Sequence, residues 1–196
     1  TFLCNGPSPA MSGHYGLGKL LEGHAADIDI ICAPICYMNR GWTGVGVNMG
    51  APESVERYGI MWFDENDSRT YLAKCDAAQS GPALCLQTKQ KTLDVLQRNT
   101  TREILRNIGC WWMDLFGRGW YADRELWSLR ARLNRLDDAM LARRRPYTPE
   151  IAVVVNEPSF LHLGWGSGRI SAPLLNRRPF DACGATYGQY LLDDVL

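Results

Sequence analysis

The chain has 196 residues, enough for one domain or one and a half, and 46% of them are hydrophobic and 21% charged, a composition typical of a globular protein with a real core. Lys and Arg together number 21, as do Asp and Glu, so the formal net charge is zero and no overall basic field attracts nucleic acid or an anionic membrane. The apolar runs are too short to span a bilayer, and no basic segment followed by an apolar one indicates a secretory signal.

The two ends of the sequence and its cysteines bear on where the protein works. Thr1 opens directly on a strand-like segment and the chain stops at Leu196 without a tail, so we expect both ends to lie inside a longer protein. The seven cysteines form no CxxC pair and the three histidines are scattered, so we expect no metal site and no cofactor. We interpret the cysteines as mostly buried, reduced thiols of a cytoplasmic protein, with disulfides or metal ligands as the alternatives.

Strand-like and helix-like segments alternate from the beginning of the chain. Short apolar runs predict strands over residues 1–5, 27–33, 60–64 and 110–115. Apolar residues spaced by three and four predict helices over residues 14–22 and 51–58, from an N-cap at Thr88 to a stop at Gly109, and over 123–145. The apolar stripe of the last helix includes Trp127, which we therefore expect in the core. This alternation predicts a parallel α/β architecture.

A hinge with two prolines, Pro146-Tyr147-Thr148-Pro149, follows the last of these helices. It predicts a boundary between a first domain of residues 1–147 and a second domain that begins with residues 148–196. The second domain opens with β-branched residues over 150–155, which predict a buried strand, and continues to a predicted helix near 172–177.

The most informative stretch is a strand that ends in clustered acids. Residues 60–63 are apolar and aromatic, and Asp64, Glu65, Asn66 and Asp67 follow at once. In an α/β barrel the active site lies at the carboxyl ends of the strands. We therefore interpret Glu65 as a catalytic carboxylate. The alternative is that these acids only solvate the strand end and cap the next turn.

Three further residues are candidates for contacting a substrate beside Glu65, one after the same strand and two in the predicted strand 110–115. Arg69 would hold the Glu65 carboxylate ionised or bond a substrate hydroxyl, or it merely pairs with Asp64 or Asp67. Trp112 and Asp114 share a strand face, where the indole would stack under a ring of the substrate and the carboxylate would accept its hydroxyls. The alternative for this pair is a core tryptophan beside a strand-end cap.

Aromatic residues in glycine-bearing loops form a second group of candidates. Trp42 lies in the long loop between residues 37 and 50, and Trp120 follows directly after Gly119. In such loops exposed aromatic side chains more often bind ligands than stabilise the fold. Tyr37 and Asn5 lie just past strand ends and are further candidates for substrate binding.

Short motifs along most of the chain carry a resemblance to a known family: Gly13-His14, Leu17, Leu20-Leu21, Asp27-Ile28-Asp29, Ala33-Pro34, Tyr37, Arg40-Gly41, Glu53-Ser54-Val55, Trp62 to Thr70, Trp111 to Leu115 and Gly119-Trp120. In these residues the sequence resembles the clan A glycoside hydrolases, most closely the β-galactosidases of glycoside hydrolase family 42 and their relatives. The resemblance implies an α/β fold in which the first four strands are strands five to eight of a (β/α)8 TIM barrel. It also implies that residues 148–196 begin a flavodoxin-like domain, which in that family contributes to a trimer.

The same resemblance implies a role for Glu65. In this clan the nucleophile is a Glu at the end of the seventh strand, the place that Glu65 occupies. A retaining glycosidase needs two carboxyl groups about 5 Å apart, one to attack the sugar and one to protonate the leaving oxygen. The acid/base Glu belongs to the fourth strand, N-terminal to Thr1, so we expect this chain alone to be inactive.

A second motif, Asn156-Glu157-Pro158, has the form that the acid/base motif of the clan often takes. Chain order argues against that role, because the acid/base strand of the clan precedes the nucleophile strand whereas this motif follows it. We interpret Glu157 as a chance match.

Three functional hypotheses remain open. The first is an exo-acting retaining glycosidase, β-galactosidase-like, that acts on a carbohydrate through Glu65. The second is a non-catalytic carbohydrate-binding or structural relative that keeps the aromatic residues but lacks the acid/base. The third is an amidotransferase-like role for the segment after the hinge, which would need a nucleophilic cysteine where Asn156 and Glu157 stand. No GxxxxGK[ST] phosphate-binding loop is present in the sequence.

Overall fold

The computed structural model describes residues 16–37, 40–75, 85–115, 117–143, 145–160, 180 and 183–195. Five α-helices lie in these ranges: α1 (Leu17–His24), α2 (Pro52–Arg57), α3 (Lys89–Leu105), α4 (Arg124–Arg143) and α5 (Glu157–Phe160). Five strands lie there too: β1 (Ile30–Pro34), β2 (Met61–Asn66), β3 (Gly109–Trp112), β4 (Ile151–Val155) and β5 (Tyr187–Leu191). The predicted strand over residues 1–5, with the candidate Asn5, and the predicted helix near 172–177 lie outside the described residues.

The strands form two small parallel sheets. One has the order β1-β2-β3 and the other pairs β4 with β5. Strands β1 and β2 run in the same direction. Where they begin, the Met61 N–H donates to the Asp29 carbonyl at 3.0 Å, and where they end, the Ile35 N–H donates to the Glu65 carbonyl at 3.0 Å. The register of β4 and β5 runs in parallel from residues 151 and 187 to residues 155 and 191. The predicted mixed α/β architecture with parallel strands is confirmed.

Helix α3 shows how well local sequence signals place an element. The Oγ1 of Thr88 accepts the N–H of Lys91 at 3.2 Å, which confirms the predicted N-cap. The helix ends at Leu105 instead of Gly109, because Asn107 adopts a left-handed conformation with φ of 60° that breaks the helical path.

Two predictions of burial are wrong. Strand β4 is not buried, since its residues alternate between half-buried and exposed, as in a strand with one solvated face. Trp127 is 56% exposed, although it lies in the predicted core stripe of α4. The buried face of that helix is set by Leu126, Leu129 and Leu133, and Trp127 projects about 100° away from Leu126 around the helix axis.

The described residues of 1–33, 48–63 and 148–196 form one compact unit. In this unit β5 pairs with β4 and also bonds to buried side chains of α2. The Gln189 N–H donates to Glu53 Oε2 at 2.6 Å, and the Leu191 N–H donates to Ser54 Oγ at 2.8 Å. Two N–H groups on the edge of β5 away from β4 are therefore satisfied within the unit. The division into domains of residues 1–147 and 148–196 stays a prediction.

The described residues of 34–47 and 64–147 form a second compact unit. Its core is built from one face each of α3 and α4, together with two aromatic side chains of the loop between β3 and α4: Leu96, Ile104, Trp120, Tyr121, Leu126, Leu129 and Leu133. All the predicted site residues that the structure describes lie in this unit. Within the described ranges, none of the helices has both the length and the apolar character needed to cross a bilayer.

The cysteines differ from the prediction. Cys75 and Cys85 form a disulfide, with their Cα atoms 6.3 Å apart, so the interpretation as reduced thiols is wrong for this pair. The free cysteines among the described residues are not fully buried either, since three are half-buried and one is exposed: Cys32, Cys36, Cys110 and Cys183. The spacing of the cysteines in the sequence does not identify this pair.

Candidate functional site

The carboxyl end of β2 carries a row of buried polar side chains. Asp64, Glu65, Asn66 and Asp67 are each at most 4% exposed. Acids that only solvated a strand end would lie in water, because charged side chains are rarely buried without a partner or a role. The burial therefore argues against the simplest alternative for these acids.

Arg40, from the loop after β1, is the cation of this region. Its side chain is 3% exposed, and its Nη1 forms an ion pair and hydrogen bond with Asp67 Oδ1. Its Nη2 also donates to the Asp67 carbonyl at 3.4 Å. Because both side chains are buried, solvent screens the pair little and either charge alone would be costly.

Tyr37 joins Arg40 and Asp67 through both its ring and its hydroxyl. The Arg40 guanidinium carbon lies 4.2 Å from the centre of the Tyr37 ring, a cation–π contact. The pKa of Tyr37 is raised to about 12, mainly by burial and then by the negative charge of Asp67. The positive charge of Arg40 lowers this pKa, and a hydrogen bond to Asp67 raises it further. Tyr37 is 37% exposed, so it connects the buried charges to the surface of the unit. We call Tyr37, Arg40, Glu65 and Asp67 the strand-end cluster.

Glu65 is the second buried carboxylate of the strand-end cluster. Burial is the main cause that raises the pKa of its carboxyl group, the charge of Asp67 raises it further, and the charge of Arg40 lowers it. Carboxyl groups with pKa values raised in this way are typical of residues that exchange protons in catalysis.

A turn that follows β2 is held by a phenol. The buried hydroxyl of Tyr121 donates to the Asn66 carbonyl at 2.9 Å and lies 3.1 Å from the Ser68 carbonyl, its second acceptor. Asn66 Oδ1 accepts the Ser68 N–H at 3.3 Å, which closes a local turn. Thr70 continues this arrangement, since its hydroxyl donates to the Trp120 carbonyl. These bonds fix the backbone on both sides of Asp67.

Three buried donors near the cluster have no hydrogen-bond partner within the part of the chain that the structure describes: Arg40 Nε, Asn66 Nδ2 and Ser68 Oγ. A buried donor without a partner costs about 1–3 kcal/mol. Such costs concentrate at functional sites, where stability is traded for a particular arrangement.

The loop that carries Arg40 is held by arginines of α3. The guanidinium of Arg98 donates to three carbonyl groups of this loop at 2.6–3.1 Å, those of Arg40, Gly41 and Gly44. One turn further along α3, Arg102 donates to the Val45 carbonyl at 3.3 Å. These bonds fix the backbone from which Arg40 reaches Asp67.

Trp112 and Asp114 do not share a strand face, because β3 ends at Trp112. The indole N–H of Trp112 donates to Thr100 Oγ1 at 2.9 Å, and its ring stacks on Tyr121 with centroids 5.7 Å apart. The carboxylate of Asp114 accepts the N–H groups of residues 118, 119 and 120 at 2.6–3.0 Å. Both side chains therefore have structural roles, which agrees with the alternative of a packed tryptophan beside a cap.

Trp120 and Arg69 lie together, but Trp120 is not an exposed loop aromatic. It is 5% exposed and belongs to the core of the second unit, because its loop folds back onto α3 and α4. The guanidinium carbon of Arg69 lies 5.7 Å from the Trp120 ring centre. The cation that pairs with Asp67 is Arg40 and not Arg69.

Trp42 is the exposed aromatic that the loop composition predicts. Its ring is 52% exposed, its indole N–H donates to Asp94 Oδ2 at 3.3 Å, and the Lys91 ammonium lies 4.8 Å from the ring centre. The indole is thus anchored at its edge and remains accessible. Its role in binding a substrate stays a prediction.

Glu157 of the second motif has a bond of its own within the first unit. Its Oε2 accepts the N–H of Leu17, the first residue of α1, at 3.0 Å, and the side chain is buried. A carboxylate at a helix N-terminus is stabilised by the unpaired N–H groups there. This contact is a structural reason for an acid at this position.

Sequence reasoning passed over Arg40, Asp67 and Tyr121 as parts of the site. The available signal for Arg40 was its position in the loop after a strand parallel to β2, since the carboxyl ends of neighbouring parallel strands meet at one sheet edge. Nothing in the spacing of Tyr121 points to the turn it holds.

In the described ranges no cluster of His, Cys, Asp and Glu has the makings of a metal site. No protein-family model matches the chain, and neither a curated protein nor a solved structure proves similar to it.

Proposed function

We propose that the chain supplies the nucleophile of a retaining glycoside hydrolase, β-galactosidase-like, and that Glu65 is this nucleophile. The observation that carries the proposal is a buried Glu at the carboxyl end of a parallel strand, beside a buried Arg–Asp pair. In barrel enzymes this end of the strands is where catalytic groups stand. The resemblance to clan A glycoside hydrolases supports the choice of chemistry.

In the proposed reaction Glu65 attacks the anomeric carbon of a terminal β-galactoside. A glycosyl–enzyme ester forms as the bond to the leaving oxygen breaks, and a second carboxyl group protonates that oxygen. The same group then removes a proton from water, which attacks the anomeric carbon and releases Glu65. Two inversions give net retention.

We further propose that the second carboxyl group comes from the fourth strand of a TIM barrel, N-terminal to Thr1. In this arrangement β1, β2 and β3 are strands six to eight of the barrel. Their order and common direction in the sheet support this assignment. Residues 148–196 then begin a flavodoxin-like domain, for which the parallel pair β4 and β5 is a suitable start.

The test is carried out on the full-length protein with an aryl β-galactoside. We expect Glu65→Gly to lower kcat by at least about 10³-fold. Added azide distinguishes the two possible carboxylate roles of Glu65. If Glu65 is the nucleophile, azide attacks the substrate directly and gives the α-galactosyl azide. The β-galactosyl azide would instead assign Glu65 as the acid/base, and near-normal turnover would refute any catalytic role.

The carbohydrate-binding relative is the second candidate, and the accessible rings of Trp42 and Tyr37 favour it. It predicts a wild-type protein that binds a galactoside but does not hydrolyse it. Isothermal titration with wild type and with Glu65→Gln separates the two functions, because binding without turnover in wild type supports only the second.

A further inference from the structure

The two buried carboxylates of the strand-end cluster share one cation. Glu65 and Asp67 are two residues apart and both are at most 4% exposed, so their negative charges oppose each other. The bonds of Arg40 go to Asp67, once through the ion pair and once through the Asp67 carbonyl. The Tyr37 hydroxyl adds a hydrogen bond to the same carboxylate. Asp67 is thus compensated from two directions.

We propose that Arg40 is a positioning residue for the reaction of Glu65. Because Arg40 neutralises Asp67, Glu65 can carry a negative charge that is available to the substrate and not engaged in an ion pair. This inference rests on the proposed function of Glu65 as nucleophile. It adds that Arg40 acts through Asp67 and does not itself contact the sugar.

The surroundings of Glu65 make this assignment specific. The charges that act on its carboxyl group come from Asp67 on its own strand end and from Arg40 in the loop after β1. The Tyr37 phenol from that loop also interacts with Glu65. Arg98 of α3 donates to the Arg40 carbonyl and so fixes the loop rather than the charge of Glu65. Arg40 is therefore the cation whose removal should change the ionisation of Glu65.

The experiment compares variants of the full-length protein by their pH dependence. The rate of inactivation by a 2-fluoro β-galactoside reports the ionised fraction of the nucleophile. We expect Arg40→Met to lower this rate about tenfold at a pH just below the acid limb, with a much smaller loss well above it. Arg40→Lys keeps the charge and should restore most of the acid limb. Asp67→Asn should move the limb in the opposite direction, and the double variant should return it towards wild type.

A readout independent of activity separates this inference from the proposed function. The difference between the infrared spectra of wild type and Glu65→Gln isolates the carboxyl band of Glu65. Following this band during a pH titration gives the midpoint at which Glu65 ionises. An upward shift of the midpoint in Arg40→Met, reversed in Arg40→Met/Asp67→Asn, supports the inference. An unchanged midpoint in a folded Arg40→Met overturns it while leaving the nucleophile assignment intact. If Arg40→Met does not fold, Asp67→Asn decides, because an unshifted or raised midpoint in that variant overturns the inference. A wild-type protein that is inactive and is not labelled at Glu65 refutes the proposed function instead.

Discussion

Two groups of charged side chains in the second unit form similar bonds in opposite environments. In the strand-end cluster Arg40 pairs with Asp67 in the protein interior. At the surface, the Lys89 ammonium lies 2.8 Å from Asp123 Oδ2 and 3.1 Å from Glu125 Oε2, and Lys89 is 43% exposed. In the buried group Arg40 Nε has no hydrogen-bond partner among the described residues, whereas Lys89 and Glu125 of the surface group are exposed to solvent. We therefore expect the difference in burial, and not the number of ion pairs, to determine how each group affects the stability of the fold.

The surface group behaves as an electrostatic cap of a helix. Asp123 precedes α4 and its Oδ1 accepts the Glu125 N–H at 2.6 Å, the bond that an N-cap carboxylate makes. Hydrogen bonds from Lys89 first, and then from Tyr71, hold the pKa of Asp123 well below its usual range. At the strand end, by contrast, burial raises the pKa of Glu65. A lowered carboxyl pKa stabilises the folded state at neutral pH, and a raised one destabilises it.

The largest expected effect is that of breaking the buried pair. Arg40→Met leaves Asp67 charged and buried without its partner, so we expect the free energy of unfolding to fall by about 3–5 kcal/mol at pH 7. Urea unfolding followed by circular dichroism measures this change. Arg40→Met/Asp67→Asn serves as the matched control and should recover at least half of the loss. A single variant no less stable than the double would contradict the buried-pair interpretation.

The next effect concerns the burial of Glu65 itself. Glu65→Gln removes a buried charge, and we expect the free energy of unfolding at pH 7 to rise by about 1 kcal/mol. The folded pKa of Glu65 is raised above its ordinary value of 4.5, so the folded state binds the proton more tightly than the unfolded state does. The stability that wild type gains from this group is present below that value and is lost as the pH rises through the folded pKa. The advantage of the variant should therefore shrink when unfolding is repeated at about pH 4.

A matched control for this prediction is Glu125→Gln, which makes the same chemical change at an exposed site. We expect it to change the free energy of unfolding by less than about 0.5 kcal/mol at pH 7. Equal gains for both variants would mean that burial of Glu65 is not the cause.

The smallest effect is expected at the surface group. Lys89→Met removes the cation shared by Asp123 and Glu125, and we expect a small loss of thermal stability that disappears in about 0.5 M NaCl, because salt screens exposed pairs. The loss caused by Arg40→Met should persist in the same salt. Thermal unfolding of both variants at low and high salt tests this contrast, and equal salt sensitivity would break the comparison.

Local patterns were sufficient for several elements and for the position of Glu65 at a strand end, but they did not predict β5 or α5. The apolar run at residues 60–63 predicts β2, and the acids that follow it predict where its polar end lies. Thr88 predicts the start of α3 because an N-cap depends only on residues within one turn. These features are encoded within a few neighbouring positions.

The surroundings of Glu65 could not be read in the same way. Arg40 and Asp67 are 27 positions apart in the sequence, and Tyr121 lies 55 positions from the carbonyl of Asn66 that it bonds. Trp120 and Trp42 both lie in glycine-bearing loops, yet one is buried and the other exposed. Which loop folds back onto a helix depends on the packing of α3 and α4, and no local pattern records that packing.

The sequence by itself determined the α/β class with parallel strands and the placement of Glu65 at the end of β2. Only the tertiary structure decided that Glu65 is buried, that Asp67 is paired with Arg40 rather than Arg69, and that Cys75 is bonded to Cys85. The physical reason is that backbone preferences and hydrophobic periodicity act over a few residues. Desolvation and charge pairing instead depend on which distant segments the fold brings into contact.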